Sequence, residues 1–310
     1  MPQKTPATPP TPDKQQLKGE AYTLVLSVLE AHFPIFAFFT VAALGSLHAY
    51  FYSLTIAGLC LLIWFALRRK WSDLKRTDAY QDLALTSLFL TTFFGLAFLA
   101  LQTTSPSHVA IILFMQVLFS YLYHGRRPGE TLDRRHLIGV ILMTTGAVII
   151  LFPDNLSLAP GDGLALLAAA IAPIGNLFQK RARTRVSAET ILTLRTLIAL
   201  PFVYLLAVLF ETTPDWSAVE AQWLWLFLTG FLVFFISKLF WVEALHRLPI
   251  TKVNALFAFS PLMTIGLAYL YLNDPPTASQ IFGALPIMIG SYFITQKPNK
   301  AKPPPSPSVS

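Results

Sequence analysis

Five ionisable side chains stand inside otherwise apolar runs. Glu30 lies in LVLSVLEAHFPIF, Arg195 in ILTLRTLIAL, Lys238 and Glu243 in FFISKLFWVEALHR, and Lys252 in the run that follows. An ionisable group in hydrocarbon costs about 2.5–3.5 kcal/mol on insertion scales, so such groups face a partner or a watery cavity. Glu30 is a candidate for alternate binding of protons and substrate, or for a static ion pair with Arg195 or Lys238. Lys238 lies about 12 Å from its nearer helix end at ~1.5 Å per residue, too deep for its stem to reach the interface. It offers a charge for a carboxylate or phosphate, or it compensates Glu30. Arg195 joins these two as a candidate for substrate or proton coupling, with a structural or gating role at a cavity mouth as the alternative. Glu243, His246 and Lys252 stand nearer a helix end and suit gate or anchoring roles. Gln102, Gln116, Asn176, Gln179 and Asn254 could hydrogen-bond a polar solute, and Trp241 could line its path; helix–helix hydrogen bonding and packing are their alternative uses.

These residues need elements to hold them. The 310-residue chain is 54% hydrophobic and only 13% charged, about half the charge of an ordinary soluble domain. Ten segments approach the ~20 apolar residues that cross a bilayer: 21–44, 47–67, 80–101, 107–123, 136–152, 163–179, 188–210, 222–245, 250–272 and 278–295. Pro34, one turn beyond Glu30, is expected to loosen the first of them. Of the 23 Lys and Arg residues, all but Arg195, Lys238 and Lys252 fall in the tails or in alternate connections. The remaining connections carry only acids, among them Asp154, Asp162, Glu211, Asp215 and Asp274. This asymmetry predicts cytoplasmic N- and C-termini and an even number of crossings. It also accounts for the net charge of +7 without nucleic acid. Residues 1–19 and 297–310 are Pro-rich and read as disordered cytoplasmic tails. Trp216, Trp223 and Trp225 fit an interfacial belt.

Residues 101–150 can be laid on 245–294 without a gap. ETLDRRHLIGVILMTTG then falls on DPPTASQIFGALPIMIG, matching Gly139 with Gly283 and Gly146 with Gly290, with Glu130 or Asp274 nine residues before the first glycine. Glycines seven apart share one helix face and permit close helix packing. The repeated units lie five segments apart, an odd number, so they cross the membrane in opposite senses. Inverted repeats of this kind are characteristic of secondary transporters, with the site near the midplane between the halves.

The two stretches FLALQTTSPSHVAIILF…GETLDRRHLIGVILMTTG and WVEALHRLPITKVNALFAFSPLMTIG…NDPPTASQIFGALPIMIG resemble the EamA domain of the drug/metabolite transporter superfamily. The resemblance covers about residues 20–296. It implies an all-α integral membrane fold of ten transmembrane helices, built as two inverted-topology five-helix repeats at 20–152 and 161–296 around a central cavity. It further implies a bacterial inner-membrane secondary transporter, with export of amino acids or related metabolites as the family expectation. The chain departs from the family where Gln116–Val117 replaces the usual proline of the fourth helix, and where LEAHFPIF replaces a Trp-Gly pair in the first. Glu30 is similar to the first-helix glutamate that serves cation/proton exchange in the small multidrug resistance branch, which supplies the alternative of a cation/drug–proton antiporter.

Enzymatic signals are poor. HExxH, P-loop and GxSxG patterns do not occur, nor does any metal-ligand spacing among the six histidines, and Cys60 is the single cysteine. No cofactor or metal is expected, and a lipid-modifying membrane enzyme is the weakest reading. The expected partners are the bilayer, a small-molecule substrate and, as a candidate coupling ion, protons.

Overall fold

This computed structural model describes residues 14–124, 134–151, 159–248, 253 and 256–295. Among the described residues the regular structure is entirely helical. Among the described residues, seven spans are long and apolar enough to cross a membrane: Lys14–Leu44, Ser46–Arg68, Thr77–Ala100, Pro106–Tyr123, Pro160–Arg183, Ala188–Phe210 and Trp223–Arg247. Two shorter apolar helices, Ser260–Leu272 and Ala278–Ile294, accompany them. The protein is a multi-pass membrane protein. Its outer surface is correspondingly apolar, with Leu67, Leu88, Phe202, Phe210 and Phe282 all strongly exposed.

Several spans are not single helices. The first comprises α1 (Lys14–Ala31) and α2 (Phe33–Leu44), broken at His32 because Pro34 has no N–H to continue the α-helical ladder. The second is α3 (Ser46–Arg68) and the third is carried by α4 (Tyr80–Ala100). The fourth divides into α5 (Pro106–Phe114) and α6 (Gln116–His124). After α7 (Arg134–Leu151), α8 (Pro160–Arg183) and α9 (Ala188–Phe210) run unbroken despite Pro173 and Pro201. The next span follows the short α10 (Trp216–Ala221) and comprises α11 (Trp223–Phe227), a π-helical stretch at Leu228–Ser237 and α12 (Lys238–Arg247). α13 (Ser260–Leu272) and α14 (Ala278–Thr295) are the last helices among the described residues.

α1 begins inside the stretch expected to be a tail, and a methyl built on Gly19 would stand 2.7 Å from Leu248 Cγ. A second difference concerns the tryptophans. Trp216 and Trp223 are well exposed, but Trp225 turns inward and stacks on Phe39 at 4.4 Å between ring centroids. A ring flanked by Phe36, Phe39 and Tyr271 buries more area than one at the interface.

α7 and α14 pack along most of their length. A methyl built on Gly139 would lie 2.7 Å from the carbonyl oxygen of Gly290, and one built on Gly290 would lie 2.6 Å from that of Gly139. Gly146 and Gly283 oppose each other in the same way. The pairing of 139 with 290 and 146 with 283 makes the helices antiparallel, with backbones in contact at two points seven residues apart.

One end of the bundle gathers the basic connections. There Arg185 pairs with Asp82 (2.6 Å), Arg68 with Glu189 (3.2 Å) and Arg183 with Glu243 (2.8 Å). Burial pushes the Asp73 carboxyl up, but donated bonds from the Ser187 amide and hydroxyl and the Thr190 hydroxyl, with the charge of Lys70, hold it below the ordinary carboxylate range. The opposite end is acidic. Glu211 accepts from the backbone N–H groups of Leu47 (3.0 Å) and His48 (3.1 Å), satisfying the first turn of α3 beyond Gly45, whose φ of +83° suits glycine.

Candidate functional site

The interruptions of α1/α2, of α5/α6 and of the π-to-α12 junction all border one interior region, and α13 starts beside it. Glu30 is the penultimate residue of α1, Gln116 opens α6, and Lys238 opens α12 directly after the π-helical stretch. Helix breaks free backbone groups and re-aim side chains, and π-helical turns are frequent at functional sites. One freed group is visibly re-satisfied: Thr264 donates its hydroxyl to the carbonyl oxygen of Ala31 at 2.8 Å.

A cavity of about 50 Å³ is lined here by Glu30, Gln116, Asn176, Gln179, Arg195, Lys238 and Trp241 together with Leu90, Phe93, Phe94, Ala172 and Phe257. Helical spacing explains the lining. Ala172, Asn176 and Gln179 are four and three apart on α8, and Lys238 and Trp241 three apart on α12, so each set shares a face. A neighbouring cavity, also of about 50 Å³, shares Glu30, Phe93, Phe94, Gln116 and Phe257, and adds Phe33, Phe114 and Ser260 among others. Both cavities are lined by polar groups and by phenylalanines together.

Among the polar groups, Lys238 Nζ lies 2.5 Å from Glu30 Oε1. The Ser237 hydroxyl donates to the same oxygen, and the Lys238 ammonium sits 4.8 Å from the centroid of the Phe94 ring. Both members of the ion pair are about one-tenth exposed. Such a pair, taken out of water, needs additional hydrogen bonds and a good geometry to offset desolvation; Ser237 and the face of Phe94 supply part of that. Trp241 Nε1 donates to Asn176 Oδ1 at 3.3 Å. Arg195, also buried, donates from Nη1 to Gln179 Oε1 at 3.3 Å.

The structure thus brings together Glu30, Lys238, Arg195, Gln116, Asn176, Gln179 and Trp241. Gln102 is not among them: it is exposed in the turn after α4, because Ser105 and Pro106 cap and start α5 and leave 101–105 as the connection. Asn254 and Lys252 lie outside the described residues. Glu243 pairs with Arg183 and with Arg247, one turn on; His246 is exposed and lines a separate cavity of about 120 Å³ that reaches Gln179 from the basic end. The Gly139, Gly146, Gly283 and Gly290 crossing contributes no residue to the lining. Ser237, Phe94 and Thr264 are participants that the sequence did not flag. Ser237 could have been found as the polar neighbour of Lys238, whereas a phenylalanine among 25 carries no such signal.

Comparisons with known proteins agree with this architecture. The EamA-like transporter family matches the chain twice, at residues 17–152 and 159–296. The uncharacterized transporter YvbV of Bacillus subtilis is 25% identical over 257 residues, covering 80% of this chain and 82% of that protein. An uncharacterized transporter of Archaeoglobus fulgidus is 24% identical over 259 residues, covering 80% and 86%. One from Synechocystis is 20% identical over 210 residues, and the match spans 64% of this chain and 60% of that protein. A crystal structure superposes with a TM-score of 0.65 at 21% identity, covering 91% of this chain and 96% of the other, a likeness of fold.

Proposed function

Because the chain belongs to the EamA-like transporter family, we propose that it is a secondary transporter moving a small polar or amphipathic metabolite, of amino-acid type, through the central cavity by alternating access. In this reading ten helices cross the bacterial inner membrane as two inverted five-helix repeats, with both termini and the basic end of the bundle in the cytoplasm. The antiparallel meeting of α7 with α14, each closing one matched family domain, supports that arrangement. So does the segregation of basic and acidic connections to opposite ends.

The observation that carries the proposal is the Glu30–Lys238 ion pair at the interrupted helices. Rocking the two halves would expose the cavity to each side in turn. Each time, the ion pair is one for which a charged solute or a proton can compete. The same pairing favours this reading over a cation/drug–proton antiporter, since Glu30 already holds a cation supplied by the protein.

Reconstitution into liposomes tests the proposal. With a solute identified by uptake and efflux screening, Glu30→Gln and Lys238→Ala proteins are expected to lose transport. Normal transport by both would remove the cavity from the mechanism. At fixed solute gradients, an imposed pH gradient is expected to change net flux if protons are coupled.

A further inference from the structure

Arg195 is the cavity's second cation, and it differs from the first. Lys238 has its carboxylate; among the described residues no carboxylate lies within ion-pair distance of Arg195. The single hydrogen bond its guanidinium makes there goes to Gln179 Oε1, although a guanidinium carries five donors. Because Oε1 of Gln179 accepts that bond, its Nε2 is the donor end of the amide, and Nε2 is buried with no partner among the described residues. Gln179 is 1% exposed and Arg195 6% exposed. A buried amide donor left unmade costs about 1–3 kcal/mol, and a buried unpaired charge costs more. Two such groups side by side on one cavity wall are a site waiting for an acceptor.

We propose that Arg195 and Gln179 form a docking site for the carboxylate of the transported solute. The assignment rests on the transport reading above and narrows its substrate to an organic monoanion or zwitterion with an apolar, aromatic-compatible body. Two oxygens of one carboxylate match the fork of a guanidinium and leave a lone pair for Gln179 Nε2. Charge selects carboxylate over phosphate: Arg195, Lys238 and Glu30 give the lining one net positive charge, which a monoanion neutralises. A phosphate monoester, at about −1.5 to −2 near neutral pH, would leave excess negative charge in a low dielectric. Phe93, Phe94 and Phe257 share this lining and Phe33 and Phe114 line the adjoining cavity, so the rest of the molecule meets phenylalanine; at about 50 Å³ each the cavities must widen to hold it, as alternating access would widen them.

The test uses the full-length protein purified in detergent and three probes of one shape: phenylacetate, phenylacetamide and phenethylammonium. Trp241, in the cavity wall, supplies a fluorescence signal whose share is fixed by Trp241→Phe, and calorimetry checks it. Phenylacetate is expected to bind saturably and at least tenfold more tightly than the other two. Gln179→Leu is expected to weaken it about tenfold, as for one hydrogen bond to a charged group. Arg195→Gln is expected to abolish binding and Arg195→Lys to restore part of it. Each variant is checked for an unchanged elution profile, and Arg195→Lys keeps the test informative where Arg195→Gln does not fold. Equal binding of acid and amide, preference for the ammonium, no saturable phenylacetate binding, or indifference to Gln179→Leu and Arg195→Lys would each overturn the site. Carboxylate binding with these variant effects but without flux in liposomes would refute transport and leave the site standing.

Discussion

Removing one member of the Glu30–Lys238 pair should cost far more than removing both. Glu30→Gln leaves the Lys238 ammonium about nine-tenths buried, with the Phe94 face 4.8 Å away as compensation. Breaking a buried ion pair from one side typically costs 3–5 kcal/mol, whereas exchanging both members for neutral groups of similar volume is near neutral or stabilising. The cavity beside the pair, about 50 Å³, admits a few water molecules, and the ring of Phe94 contributes ~1 kcal/mol or more to a desolvated cation. Both act against the penalty and place the expected loss near the lower end, about 3 kcal/mol, or a little over two orders of magnitude in the folding equilibrium. Lys238→Met should cost a similar amount by stranding the Glu30 carboxylate, and the double variant Glu30→Gln/Lys238→Met should recover most of it. Reversible unfolding of the purified protein, run as a double-mutant cycle, measures the coupling directly. Additive single effects, or a Glu30→Gln protein as stable as the parent, would refute the claim that these charges are desolvated partners.

Three further outcomes follow from other parts of the molecule. Gly139→Ala sets a methyl 2.7 Å from the Gly290 carbonyl oxygen and should destabilise by about 1–3 kcal/mol, as overpacking does; Gly95→Ala, whose methyl would meet nothing within 4 Å, should be neutral or gain up to about 1 kcal/mol from helix propensity, and unfolding of both variants checks the contrast. Asp73 is depressed below the ordinary carboxylate range, so its contribution is complete above that range and is lost as pH falls through its lowered value; Asp73→Asn should flatten the acid limb of a stability–pH curve, and an unchanged limb would contradict it. Glu211→Ala removes the acceptor of two amides at the start of α3 and should cost about 1–2 kcal/mol, as loss of an N-cap does, read as a lower unfolding midpoint.

What the sequence disclosed and what it withheld divide along physical lines. Apolar length marked out the seven spans long enough to cross a membrane among the described residues, because a bilayer punishes polar groups in its interior. Glu30, Arg195 and Lys238 were visible for the same reason: charge inside an apolar run needs an explanation, and the structure gathers all three on one cavity. Gly139 with Gly146, and Gly283 with Gly290, showed a shared spacing, but their face-to-face pairing required knowing that α7 and α14 meet. Gln102 misled because polarity near a helix end looks the same whether it points into a cavity or lies in a turn; Ser105-Pro106 was the overlooked stop signal. The breaks at Met115 and at the π-helical stretch Leu228–Ser237 had no proline or glycine pair to announce them, and tertiary packing decides such breaks. The inward turn of Trp225 is of the same kind, set by Phe36 and Phe39 across the bundle.

The glycine crossing of α7 and α14 has a consequence for how such a chain can change over time. None of the described residues lining the two central cavities comes from either helix, and the four glycines are committed to the contact between the two helices. Substitutions around the cavity therefore need not disturb this seam, and substitutions that damage the seam are felt whatever the cavity holds. A lineage built on this plan can retool its interior by single mutations while inheriting the same clasp unchanged, which gives descendants freedom to diverge in what they carry without first having to relearn how to fold.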